Sequence, residues 1–251
     1  MIVWREKFLA TTIHFMVTLT VGAIAAALIF LVWFPDPLQT MIGGTGLFML
    51  VVGCDLVLGP LLSLVIYDSR KSRRALIFDY AVVGTVQIAA LVYGVTIVSG
   101  TRPVYVAFSL DRLEIVSAGD INEKELAAAR NAVYRTLPIS GPRYVGIQIP
   151  ESEHNDALFE ALDGNEEQFR PKFYVPYETQ LEAIRTRAKP IEALAQKNPA
   201  SKPLLEAAMR DVSIPAERVR WLPVHYGDKF WTALIDYDDG KPVTYFDFDP
   251  Y

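Results

Sequence analysis

A single cysteine, Cys54, occurs in 251 residues, so no disulfide can form within the chain and its stability has to come from packing. Histidine is nearly as scarce: His14, His154 and His225 lie far apart in sequence, and no zinc-ligand spacing is present. Gly43, Gly44 and Gly46 have no lysine after them, which excludes a phosphate-cradling loop and leaves a flexible turn. No internal repeat or low-complexity segment is found. Formal charge is missing altogether from Phe8 to Pro35.

That last absence organises the first hundred residues. A helix rising about 1.5 Å per residue crosses a hydrocarbon core of roughly 30 Å in about 20 residues. Thr11 to Phe34, Thr45 to Tyr67 and Ala75 to Val98 are each long enough, the second interrupted only by Asp55 and the third only by Asp79. The pattern predicts a bundle of three transmembrane helices over residues 1–98. Small residues at Ala23 to Ala27 behind Arg5 and Lys7 resemble a signal peptide, but the apolar run continues through Leu28 to Phe34, which argues against cleavage.

Arg5 and Lys7 precede the first span, and Arg70, Lys71, Arg73 and Arg74 follow the second, whereas the loop from Pro35 to Gly44 carries Asp36 and no basic residue. The positive-inside rule then puts the N-terminus and the basic loop in the cytoplasm and residues 99–251 outside it, in the periplasm of a bacterium. This outer domain holds eighteen basic and twenty-four acidic residues. Such a balance offers no footprint for a phosphate backbone, so no nucleic-acid partner is expected.

Ionisable groups inside a span are costly and mark candidate functional positions, here Asp55 and Asp79. Asp55 and Gln87 lie twelve residues from the cytoplasmic ends of their helices, which predicts a hydrogen bond between them. Asp79 and His14 near the boundary are a second candidate pair, with snorkelling to the interface the preferred reading for Asp79. Pro60 predicts a kink near Gly59, with Ser63 available to the freed carbonyl of Leu56. Gly22, Gly53, Gly59 and Gly84 are sites of close helix approach.

Beyond the third span an α+β domain is expected. Pro103 to Phe108 and Arg112 to Val116 read as strands about a tight turn, and Asp120 with Glu123 or Asn122 with Glu125 offers a capping box. Leu126, Ala129, Val133 and Leu137 then have helical spacing. Arg143 to Ile149 reads as a strand. Helices are expected at Ser152 to Leu162, Tyr177 to Ala188 and Leu204 to Asp211, with Pro203 opening the last and a linker over Thr186 to Ser201. Arg218 to His225, Lys229 to Tyr237 and Pro242 to Phe248 predict a C-terminal antiparallel β-meander. Asp236 with Asp238 and Asp247 with Asp249 match a DxD spacing, for which a solvated strand face is preferred over a metal site. The DYDDG string fails the calcium-loop spacing. His225 reads as a strand residue and His154 as a surface residue at a helix N-terminus.

The string DLVLGPLLSLVIY, Asp55 to Tyr67, is followed by the basic loop, by FDYAVVGTVQIAALVYG, Phe78 to Gly94, and by RPVYVAFSLDRLEIV, Arg102 to Val116. This order of motifs resembles the type IV pilin accessory protein family (TfpX/TfpZ) over roughly the first half of the chain. The resemblance implies a multi-pass inner-membrane protein that serves pilus assembly, with type IV pilin and the lipid bilayer as partners. It supplies no catalytic residue, cofactor or metal. Asp55, Gly59, Pro60, Asp79 and Gln87 are the expected partner-binding positions. The alternative is a membrane-bound, glycosyltransferase-like enzyme that modifies pilin through the outer aspartates. A small-molecule sensor is weaker, because the cytoplasmic loop is too short for an output domain.

Overall fold

The structure is a computed structural model that describes residues 4–34, 38–68, 70–210 and 212–251. Asp36 and Asp211, named above, lie outside the described residues. The chain divides into two compact units, Met1–Trp33 with Gly43–Gly100, and Phe34–Ile42 with Thr101–Tyr251.

The first unit holds the apolar runs. Helix α1 spans Trp4–Ala27 and continues as a wider π-helical turn through Leu28–Trp33. A short helix α2, Leu38–Ile42, belongs to the other unit. Helix α3 covers Gly44–Ile66 without a break at Pro60, and α4 covers Arg73–Thr101. Among the described residues, three helices are thus long and apolar enough to cross a membrane. Their large side chains point outward, as at Leu31, Val65 and Ile77, which inverts the pattern of a water-soluble domain and suits hydrocarbon surroundings.

Helices α1 and α3 pack closely because Gly22 has no side chain: a Cβ there would stand 3.0 Å from Val52 Cγ1. Gly59 is the second tight position. Gly53 and Gly84 face open space, so only two of the four expected glycines serve close approach.

The second unit is built on one mixed sheet. Its strands are β1 (Pro103–Ser109), β2 (Arg112–Ser117), β3 (Arg143–Ile147), β4 (Tyr174–Pro176), β5 (Lys189–Pro190), β6 (Val219–Tyr226), β7 (Lys229–Asp236) and β8 (Pro242–Phe246). The order is β4-β3-β1-β2-β6-β7-β8, with β5 paired to β6. β1 runs parallel to β3, and β2 parallel to β6, while the remaining pairs are antiparallel. The last three strands do pair in antiparallel order, but the parallel junction of β6 with β2 makes them one wing of the larger sheet rather than a separate meander.

The β1–β2 turn places Leu110 at φ 55°. Strand β1 is buried along its whole length. Val106 and Phe108 enter one core with Leu222 and Trp231, whereas Tyr105 and Ala107 enter another with Tyr134 and Tyr174. Alternation along a strand delivers neighbours to opposite faces, and here both faces are covered. Leu38 and Met41 of α2 insert into the first core beside Val106 and Phe108.

Helices of this unit are short: α5 (Glu123–Ala127), α6 (His154–Leu162), α7 (Leu181–Arg187), α8 (Ile191–Lys197) and α9 (Ser201–Arg210). The helical run expected through Leu137 stops at Ala127 and resumes only as a 3-10 turn at Ala132–Tyr134. Asn122 caps α5 by accepting from the Glu125 N–H, while the reciprocal capping box forms earlier, between Ser117 and Asp120. The expected linker is ordered structure instead: Lys189 and Pro190 pair with β6, and Leu194 of α8 is fully buried. Proline removes a helix donor without preventing a strand-edge pairing.

Candidate functional site

Where α1, α3 and α4 meet, three polar side chains form a connected group. His14 Nδ1 lies 2.5 Å from Ser63 Oγ, and His14 Nε2 lies 2.8 Å from Gln87 Oε1. A neutral imidazole protonated on Nε2 satisfies both contacts, with Ser63 donating to Nδ1 and Nε2–H donating to the Gln87 carbonyl. Each of the three residues comes from a different helix, so one side chain ties the bundle together. Within a bilayer such groups would have no water to turn to, which would favour this connected arrangement.

Gly59 makes room for it. A Cβ at this position would stand 2.5 Å from Gln87 Nε2 and 3.1 Å from His14 Nε2. Pro60 follows inside the helix and brings no side-chain polarity of its own. Ser63 directs its hydroxyl at His14 rather than at the carbonyl of Leu56.

The expected hydrogen bond between Asp55 and Gln87 is absent, and the amide oxygen of Gln87 meets His14 instead. Asp55 is half-buried and makes no hydrogen bond among the described residues. It does line, with His14, Gln87 and Leu91, a cavity of about 210 Å³. A second cavity of about 360 Å³ is bounded by Ile13, His14, Tyr67 and Tyr80. Both are apolar clefts between helices, with polarity confined to a few groups. Asp79 does not meet His14 either: its carboxylate pairs with Lys71 at 2.6 Å, near the start of α4. Lys71, between α3 and α4, therefore answers this charge.

Two of the ion-paired clusters in the second unit involve residues singled out in the sequence. Arg218 grips Asp236 through Nε at 3.2 Å and Nη2 at 2.5 Å, and reaches Asp238 at 2.8 Å. The first DxD pair is thus a clamp for a guanidinium, and Asp236 is buried rather than solvated. Glu114 on β2 meets His225 Nδ1 on β6 at 2.7 Å, with Arg112 at 3.9 Å. Burial pushes the Glu114 carboxyl up to about 7 against the opposing pull of His225 and Arg112. Sequence reading assigned His225 to a strand and missed this partner, which lies 111 positions away. His154 is exposed at the start of α6, as expected. No group of three or more potential metal ligands occurs among the described residues.

Comparison with known proteins points in one direction. A family model described as "Fimbrial assembly protein FimB" matches residues 2–43. The chain is 32% identical over 240 residues to a fimbrial assembly protein of serogroup I from Dichelobacter nodosus, covering 92% of this chain and 93% of that protein. The serogroup E1 protein of the same organism is 31% identical over the same shares. The protein of serogroups C1 and C2 is 41% identical over 129 residues, which is 50% of this chain and 98% of the relative. Likeness therefore extends well beyond the first half of the chain, into the distal sheet. No solved structure matches the chain.

Proposed function

The chain belongs to the fimbrial assembly protein family, and we propose that this member is a non-catalytic inner-membrane accessory of type IV pilus assembly that binds or chaperones pilin subunits in the membrane and the periplasm. The observation that carries the reading is the alignment with fimbrial assembly proteins over 92% of the chain. Three apolar helices joined to a sheet domain suit a partner that has one part in the bilayer and another outside it.

In this proposal the helical unit supplies the contact for the membrane part of pilin. Asp55 is central, since an intramembrane carboxylate without a partner among the described residues is costly until another helix offers a donor. Gly59, Pro60, Gln87 and Asp79 shape the surroundings, and the His14 network holds α1, α3 and α4 in register behind them. The packing of α2 into the sheet core supports a topology in which the first loop and residues 101–251 share the periplasmic side.

The pilin-modifying enzyme has less support, because Arg218 occupies the Asp236 and Asp238 carboxylates. Photo-crosslinkers at positions flanking Asp55 test the membrane contact. Capture of pilin there is the expected result; capture only from the second unit would reject helix docking. Loss of surface pili on deletion of the chain, with pilin mass unchanged, is expected of an accessory. A shift in pilin mass on substituting Asp236, Asp238, Asp247 and Asp249 would favour the enzyme.

A further inference from the structure

Helix α6 is turned inside out. A surface helix ordinarily buries its large apolar residues and exposes its small and polar ones. Here Ala157 is buried, whereas Leu158, Phe159 and Leu162 are exposed to 62%, 67% and 77%. Leu158 and Leu162 are one turn apart with Phe159 beside them, so the three make one stripe.

Its orientation is fixed from behind. Glu160 is paired at 2.7 Å with Arg170, a guanidinium only 1% exposed. Just before the helix, Glu153 is held by Arg130 and, at 3.3 Å, by Lys172. Rolling the helix to hide the stripe would break these pairs and strip a buried charge of its partner. The outward face is therefore a set feature of the fold.

Its rim is acidic. Glu151, Asp156 and Asp163 are exposed and form no ion pair among the described residues. From Glu151 to Gln168 there are seven carboxylates and no lysine or arginine. The neighbouring cations Arg130, Arg170 and Lys172 are engaged by Glu153 and Glu160.

We propose that this face of α6 docks a basic protein segment bearing apolar anchors, whose lysines or arginines meet Glu151, Asp156 and Asp163 while its apolar side chains cover Leu158, Phe159 and Leu162. Charge complementarity selects this occupant. An anionic lipid surface would be repelled by the rim. A second copy of the chain, related by a two-fold axis, would bring the same carboxylates against themselves. The inference does not depend on how the helical unit meets pilin.

The test places a photoreactive benzoylphenylalanine at Phe159 of the full-length protein in zwitterionic nanodiscs, with a control at exposed Leu204. Two amphipathic peptides serve as probes, one of leucine and lysine and one of leucine and glutamate. The expected result is an adduct at position 159 with the lysine peptide about tenfold above that with the glutamate peptide. Asp156→Lys with Asp163→Lys should abolish that preference without shifting the unfolding temperature. Equal labelling by both peptides, or at both positions, would overturn the proposal. So would adducts dominated by a second copy of the chain or by lipid.

Discussion

His14 Nε2 stands 2.8 Å from Gln87 Oε1, and this contact joins α1 to α4 across the space that Gly59 leaves open. Replacing Gln87 by leucine leaves the imidazole N–H without an acceptor in apolar surroundings. Gln87→Leu is expected to lower bundle stability by about 1 kcal/mol, whereas Asp55→Leu, which breaks no hydrogen bond, leaves it unchanged or higher. Unfolding of the detergent-solubilised protein, followed by circular dichroism, ranks the two variants.

Gly59→Ala should act through the same network. A methyl 2.5 Å from Gln87 Nε2 cannot coexist with the present amide position. Either the hydrogen bond breaks or α3 moves away, at a cost of about 1–3 kcal/mol. Gly53→Ala, with open space around its Cβ, serves as the neutral comparison in the same melt.

The buried Glu114 carboxyl gives the second unit a pH dependence of definite sign. Its folded pKa, about 7, exceeds the ordinary value of 4.5, so the folded state holds more protons across that window. The resulting stabilisation is full below pH 4.5 and is lost as pH rises through about 7, an effect of roughly 3 kcal/mol. Glu114→Gln should flatten denaturant stability between those limits. An unchanged slope in the variant would refute the assignment.

Arg218→Ala removes the cation that holds Asp236 and Asp238. Because Asp236 is buried, the variant should unfold at lower urea concentration, and adding Asp236→Asn should recover part of the loss. A double-mutant cycle by urea unfolding reads the coupling.

Met41 belongs to the core of the sheet unit although it lies between α1 and α3 in sequence. Met41→Ala is expected to cost about 2–5 kcal/mol. The loss should appear as exposure of Trp231, a neighbour in the same core, at lower denaturant concentration.

Much of the architecture was readable because it rests on local pattern. Uninterrupted apolar runs announce α1, α3 and α4, and alternation bounded by Gly227 and Gly240, both at positive φ, announces β6, β7 and β8. The polar contacts were less readable. Counting residues along a helix gives the height of Asp55 and Gln87 but not the rotation of each helix about its axis, and that rotation hands Gln87 to His14. Glu114 and His225 become neighbours only through the parallel pairing of β2 with β6. Helical spacing through Leu137 misled because Ala129 and Tyr134 are buried in the sheet core, and that packing overrides the helical period.

Leu38 and Met41 are made before α3 and α4, yet the pocket that receives them is finished only when β6 and β7 have been synthesised. The newborn segment must wait, uncovered, while two long helices are put in place. If those helices are threaded as a hairpin through a bilayer, the early piece and its late receptor come out in one compartment; if either helix fails to insert, they are divided by the lipid. A chain threaded in error would then be left with a core that lacks Leu38 and Met41.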